Sequence, residues 1–125
     1  MKSDAFKQAA ESKDFSKLEE LFSPDVVFRS PAVFKPYAGL DALRVLLGAV
    51  AEVFEDFRYL DQVETGDTAV LVFEARVGER RLNGVDVLRF GGDGLVAEMM
   101  VMIRPLSGLN ALVEEMGRRL GATAA

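Results

Sequence analysis

The stretch Gly84-Val85-Asp86-Val87-Leu88-Arg89-Phe90 decides how this chain is read. Val, Leu and Phe suit a pleated, half-buried surface, so the stretch reads as a strand. Side chains alternate along a strand, which puts Leu82, Gly84, Asp86, Leu88 and Phe90 on one side. That side is apolar except for Asp86. A carboxylate among leucine and phenylalanine is either costly or useful.

The strand runs from Arg80 to Phe90 and has three companions. Phe57 to Glu64 and Thr68 to Val77 precede it, and Leu95 to Arg104 follows. The connections are Thr65-Gly66-Asp67, Gly78-Glu79 and Gly91-Gly92-Asp93-Gly94, short enough to force antiparallel neighbours. The glycine run joins two strands rather than opening a helix, so it reads as a turn and not a phosphate loop. A last helix spans Leu106 to Leu120, with Ser107 as candidate N-cap, Gly121 as its stop and Arg118 and Arg119 in the last turn.

Upstream, Leu43, Leu46, Leu47, Val50, Val53 and Phe54 recur at helical spacing and predict a long helix from Leu40 to about Glu55. Before it come a helix over 4–12 with Ser3 as possible N-cap, and a second over 14–22 with Asp14 or Ser16 near its start. Ser23-Pro24-Asp25 ends the second, and Val26 to Ser30 reads as a strand closed by Pro31. Residues 32–39 read as a loop with a two-residue strand at Val33-Phe34. The order is α+β: an antiparallel sheet with helices gathered on one face.

Bulk properties narrow the function classes. The chain has 125 residues, half of them hydrophobic, enough for one domain with a real core. Its net charge of −5 repels phosphate backbones, so no nucleic-acid partner is expected. Histidine and cysteine are both absent, which removes Ser-His-Asp and Cys-His triads and the commonest transition-metal ligands. No metal and no cofactor are expected. The most apolar run, Val45 to Val53, is shorter than the about 20 residues a membrane span needs. With no apolar leader after Met1, the expectation is a soluble, cytoplasmic protein without membrane contact.

Parity sorts the sheet. Leu71, Phe73, Ala75 and Val77 share the inner face of one strand, and Ala97, Met99, Val101 and Ile103 that of another. The opposite face keeps Val70, Val72, Val87, Met100 and Met102 among charges, a pattern that suggests a homodimer through the outer sheet face.

Three landmarks in order carry a resemblance. They are Leu21-Phe22-Ser23-Pro24-Asp25-Val26-Val27-Phe28, Tyr37-Ala38-Gly39-Leu40-Asp41-Ala42-Leu43, and Val85-Asp86-Val87-Leu88-Arg89-Phe90. The chain resembles the nuclear-transport-factor-2-like superfamily over essentially its whole length, in particular the SnoaL-like and ketosteroid-isomerase-like proteins. The resemblance implies a cone-shaped fold: a curved antiparallel sheet packed on N-terminal helices and one long helix, plus a C-terminal helix. Ketosteroid isomerases use a carboxylate base before a proline, a tyrosine donor in the first helix and a protonated aspartic acid on a strand. Here those positions match Ser30, Phe6 and Asp86, so one of the three groups is present. A hydroxyl does not replace a carboxylate base at neutral pH without a neighbour to activate it, so steroid isomerisation by that route is not expected. Epoxide hydrolases of this fold place an arginine two residues before the strand aspartate and a second aspartate on the next strand. Gly84 and Met99-Met100-Val101-Met102 stand there instead.

Asp86 is the candidate acid–base residue. Phe6, Phe28, Ser30, Tyr37, Phe54, Phe57, Tyr59, Phe73, Leu88, Met99 and Val101 are the candidate ligand wall. Two functions follow. One is a small apolar ligand bound in the cone, with isomerase, cyclase or dehydratase chemistry at Asp86. The other is a non-catalytic binding or dimerisation module whose cone is largely filled. A cavity of about 300 Å³ or more ending at Asp86 separates the first from the second.

Overall fold

A computed structural model describes residues 1–121. The elements are α1 (Asp4–Ser12), α2 (Leu18–Leu21), β1 (Phe22–Arg29), β2 (Tyr37–Ala38), α3 (Leu40–Val53), β3 (Glu55–Thr65), β4 (Thr68–Val77), β5 (Arg80–Phe90), β6 (Val96–Arg104) and α4 (Leu106–Leu120). The six strands form one sheet in the order β2-β1-β6-β5-β4-β3. Antiparallel pairing holds throughout except between β1 and β6, which run parallel. The helices close over the inner face. Leu43, Leu46 and Leu47 of α3 and Leu112 and Met116 of α4 are buried against Leu71, Phe73, Leu88 and Met99 of the sheet. This is the α+β architecture that the helical and strand periodicities predict.

Several local expectations are corrected. The second helix is one turn, not nine residues. The Asp14 carboxylate accepts both the N–H (3.1 Å) and the hydroxyl (2.6 Å) of Ser16, a local turn that competes with helix. Phe22 is already extended and pairs with Val96, so Pro24 lies inside β1, at an irregular stretch between Phe22 and Val27. The two-residue strand is Tyr37–Ala38 rather than Val33-Phe34, and Phe34 is almost wholly exposed. Ser3 precedes α1 without capping it. Its hydroxyl is buried, donates to Glu64 Oε1 (2.8 Å) and accepts from Gln62 Nε2 (2.8 Å), which ties α1 to β3. Pro105 stands at the N-cap of α4, and Ser107 falls inside its first turn. In β6 the register slips beside Phe90, so Val96 and not Ala97 is the buried residue at that end.

Two glycines permit close packing. A Cβ added at Gly84 would lie 2.0 Å from Phe73 Cζ, because the Phe73 ring rests directly on the β5 backbone. A Cβ at Gly108 would lie 2.8 Å from Leu82 Cβ and 3.1 Å from the Arg81 carbonyl oxygen, so this glycine seats α4 on β5.

On the outer face the register aligns two apolar rows, Val63-Val70-Val87-Met100 and Val72-Val85-Met102. Charged pairs flank them: Arg29 and Arg89 with Glu98 on one side, Arg58 with Glu74 on the other.

Gly84→Ala is expected to destabilise the protein by about 1–3 kcal/mol, the usual range for overpacking. Adding Phe73→Leu, which clears the added methyl, should recover part of that loss in urea unfolding. Additive effects of the two changes would contradict the packing described.

Candidate functional site

A cavity of about 100 Å³ opens between the helices and the inner face of the sheet. Phe6, Ala10 and Lys13 reach it from α1 and the turn after it. Leu46, Leu47, Val50 and Phe54 reach it from α3 and its end, and Leu112, Val113 and Met116 from α4. The sheet supplies Phe28, Phe57, Tyr59, Phe73, Asp86, Met99, Val101 and Ile103, and Ser30 lies just beyond β1. Of the residues expected from the sequence, only Tyr37 and Leu88 lie outside this lining. Leu88 is fully buried core, and Tyr37 packs against Phe28, ring centroids 6.4 Å apart.

Asp86 is buried, facing Leu71 on β4 and Val101 on β6. The Tyr59 hydroxyl donates to its Oδ2 at 2.6 Å. Tyr59 belongs to β3, so its ring reaches over β4 to make this bond. A bulge aims it there. The turn alignment Thr65↔Thr68, continued without interruption, would set Tyr59 opposite Glu74 on the outer face. The register slips between Tyr59 and Asp61, which turns Leu60 outward and places Tyr59 opposite Phe73. Three rings then fix it: Phe57 edge-on at 5.0 Å, Phe73 edge-on at 6.1 Å and Phe6 at 6.5 Å.

Among the described residues no buried side-chain nitrogen or oxygen lacks a partner. Among the described residues Oδ1 of Asp86 makes no hydrogen bond, which leaves it as the carboxyl oxygen open to the cavity. Burial pushes the Asp86 carboxyl up to about 7, and the Tyr59 bond only partly opposes this by favouring the anion. The Tyr59 phenol is pushed well above its ordinary value, first by burial and then by the negative charge and hydrogen bond of Asp86. It therefore stays a donor at neutral pH. Asp86, by contrast, exchanges a proton near neutrality, where a group that must both donate and accept works best.

The Ser30 hydroxyl oxygen accepts from the Ala32 N–H (3.0 Å), the turn geometry of a strand end. The Phe6 position offers no hydroxyl, and the phenol nearest Asp86 comes from β3 instead. Tyr59 is a sequence candidate only as a hydroxyl-bearing side chain, and its bond to Asp86 is not foreseen, because the bulge at Leu60 that turns it inward leaves no compositional mark. Lys13 and Phe15 also line the cavity and were not expected there. Among the described residues no three carboxylates converge in a way that would hold a metal ion, and no helix is long and apolar enough to cross a membrane.

The fold is an α+β sheet closed by helices around an apolar cavity whose lining includes the buried acid Asp86. The chain belongs to the SnoaL-like domain family, whose pattern matches residues 4–99, and its fold is nuclear-transport-factor-2-like. It is 47% identical to a steroid delta-isomerase from Pseudomonas aeruginosa, covering 98% of this chain and 90% of that one, with a TM-score of 0.91. An uncharacterised protein with a cystatin-like fold from Silicibacter pomeroyi is 32% identical, covering 91% of this chain and 81% of that one, with a TM-score of 0.87. A SnoaL-like polyketide cyclase from Shewanella denitrificans shares the fold at 17% identity, covering 90% and 92% of the two chains, with a TM-score of 0.64. Comparison with curated proteins gave no match.

The raised Asp86 value fixes the sign of a stability profile. In the unfolded chain the group ionises near 3.8, in the folded protein at about 7. Between these values the folded state binds more protons, so stability falls as pH rises through the window, by up to a few kcal/mol. In Asp86→Asn, whose amide oxygen still accepts from Tyr59, this fall should be absent. Its stability relative to wild type should therefore grow from pH 5 to pH 8 in urea unfolding. Parallel profiles would contradict the assignment.

Proposed function

We propose that the protein binds a small, largely apolar molecule carrying one carbonyl or hydroxyl oxygen, and that Asp86 moves a proton to or from it. The observation that carries this reading is the open carboxyl oxygen, Oδ1, in the wall of an apolar cavity. As the anion, Asp86 takes a proton from carbon beside a carbonyl, and as the acid it returns a proton to another carbon or to oxygen. Isomerisation, aldol-type cyclisation and dehydration all need such a shuttle. Tyr59 holds the carboxyl plane, and its bond to Oδ2 persists in both protonation states.

The isomerase name of the Pseudomonas relative supports the reaction class. The steroid is a different matter. A cavity of about 100 Å³ is smaller than the roughly 150 Å³ that accepts one benzene ring in a dry protein core. Four fused rings do not enter without wide opening of the helices, and Ser30 and Phe6 stand where, by the resemblance, ketosteroid isomerases keep their base and phenol. The expected substrate is therefore no larger than about one ring, and even one ring enters only with some repacking of the wall. By the criterion of about 300 Å³ for typical ligand sites, the volume favours the second reading, a non-catalytic module whose cone is nearly filled.

The test is turnover of cyclohex-3-enone to its conjugated isomer, followed by ultraviolet absorbance beside a 3-oxo-Δ5 steroid. Wild type should isomerise the small ketone and leave the steroid unchanged, and Asp86→Asn should lower the rate about 100-fold or more. Equal rates for wild type and Asp86→Asn would remove Asp86 from the chemistry. Absence of both binding and turnover of small ketones would favour the filled module.

For the partner, a second copy of this chain on the outer sheet face fits the two apolar rows between mixed-sign rims. A two-fold axis through them sets apolar on apolar and mixed charge on mixed charge. Light scattering at micromolar concentration should give twice the chain mass, and Val87→Glu should return it to monomer. A wild-type monomer throughout would overturn this.

A further inference from the structure

We infer that the ligand is amphipathic, with its apolar body in the cone and a carboxylate held by Lys13 at the mouth. The inference rests on reading the cavity as a ligand site and adds the chemistry of the ligand's other end.

Lys13 is the residue on which α1 ends, and its backbone is left-handed (φ 58°, ψ 29°). Helix ends in this conformation ordinarily use glycine, since a side chain there is strained. The lysine projects from that strained position to the rim of the cavity. Its Nζ donates to the Phe54 carbonyl oxygen at 2.8 Å, where α3 ends, so the side chain crosses from the end of one helix to the end of another. Lys13, Phe15 and Ala51 line both the inner cavity and an open surface cleft that continues over Ser16, Arg44 and Gly48. They form the partition between inside and outside.

The ammonium is available. It has three N–H donors, and the carbonyl takes one. Among the described residues Lys13 forms no ion pair. The acid of the cleft, Glu52, is already paired with Arg119 at 2.6 Å. On a chain of net charge −5, this leaves a cation with free donors where a ligand leaving the apolar cavity meets water. A carboxylate on a short tether satisfies those donors, and such charge-assisted bonds are about twice as strong as neutral ones.

A cation beside the carbonyls at a helix end also steadies that end. The two roles separate experimentally. 3-Phenylpropanoate and its neutral amide, 3-phenylpropanamide, are titrated by NMR against wild type, Lys13→Gln and Lys13→Gly. Glycine accepts the left-handed backbone without strain, so Lys13→Gly removes the side chain while keeping the turn. Wild type should prefer the carboxylate by about tenfold at low salt, the preference shrinking as salt rises. In both variants the carboxylate-to-amide ratio should fall to near one. A ratio unchanged in both variants, or loss of affinity for both probes in equal proportion, would overturn the inference while leaving the cavity reading in place. Failure of wild type to bind either probe would overturn the cavity reading and this inference together.

Discussion

A carboxyl group enclosed by leucine, valine and phenylalanine is held by one hydrogen bond, from the Tyr59 hydroxyl to Asp86 Oδ2 at 2.6 Å. Desolvation disfavours the Asp86 anion, and a single phenol donor compensates for only part of that. Much of the surrounding structure serves this bond. The bulge at Leu60 turns Tyr59 inward, and Gly84 leaves room for the Phe73 ring that backs it. The Ser3–Glu64–Gln62 cluster docks α1 so that Phe6 lies against the phenol. The remaining carboxyl oxygen is thereby aimed at the cavity with little freedom to move.

Much of this was legible in the chain, and the reasons are physical. Residues at strand period, such as Leu82, Asp86 and Leu88, show their face directly, and α3 shows its buried stripe at helical period. The two-residue turn Gly78-Glu79 sets the β4–β5 register, so Asp86 opposite Leu71 follows by counting. What did not show was whatever depends on a slip in that counting. The extra residues at Leu60 and Ala97 reverse which neighbours point inward, and nothing in their composition marks them. The one-turn α2 was hidden for another reason: the Asp14–Ser16 side-chain bonds compete locally with a helix that the apolar spacing favours.

Membership in the SnoaL-like family sets the scaffold, and the side chains in the cone distinguish this chain within it. By the resemblance to ketosteroid isomerases, Asp86 matches their strand acid, while Ser30 and Phe6 stand at the positions of its companions there. The phenol that contacts the acid arrives from β3, and it supports Asp86 rather than the cavity. A site of this kind favours reactions that need one proton shuttle over those that need separate base and oxyanion donors. On the proposed reading, the small volume suits a compact ligand and the cation at the rim orients it.

The most direct test is a titration of the Asp86 carboxyl carbon by NMR in the wild-type protein. A buried acid held only by Tyr59 predicts a midpoint near 7. A midpoint in the ordinary carboxylate range, near 4, would mean that Asp86 is solvated or more fully hydrogen-bonded, and would contradict the account of the site.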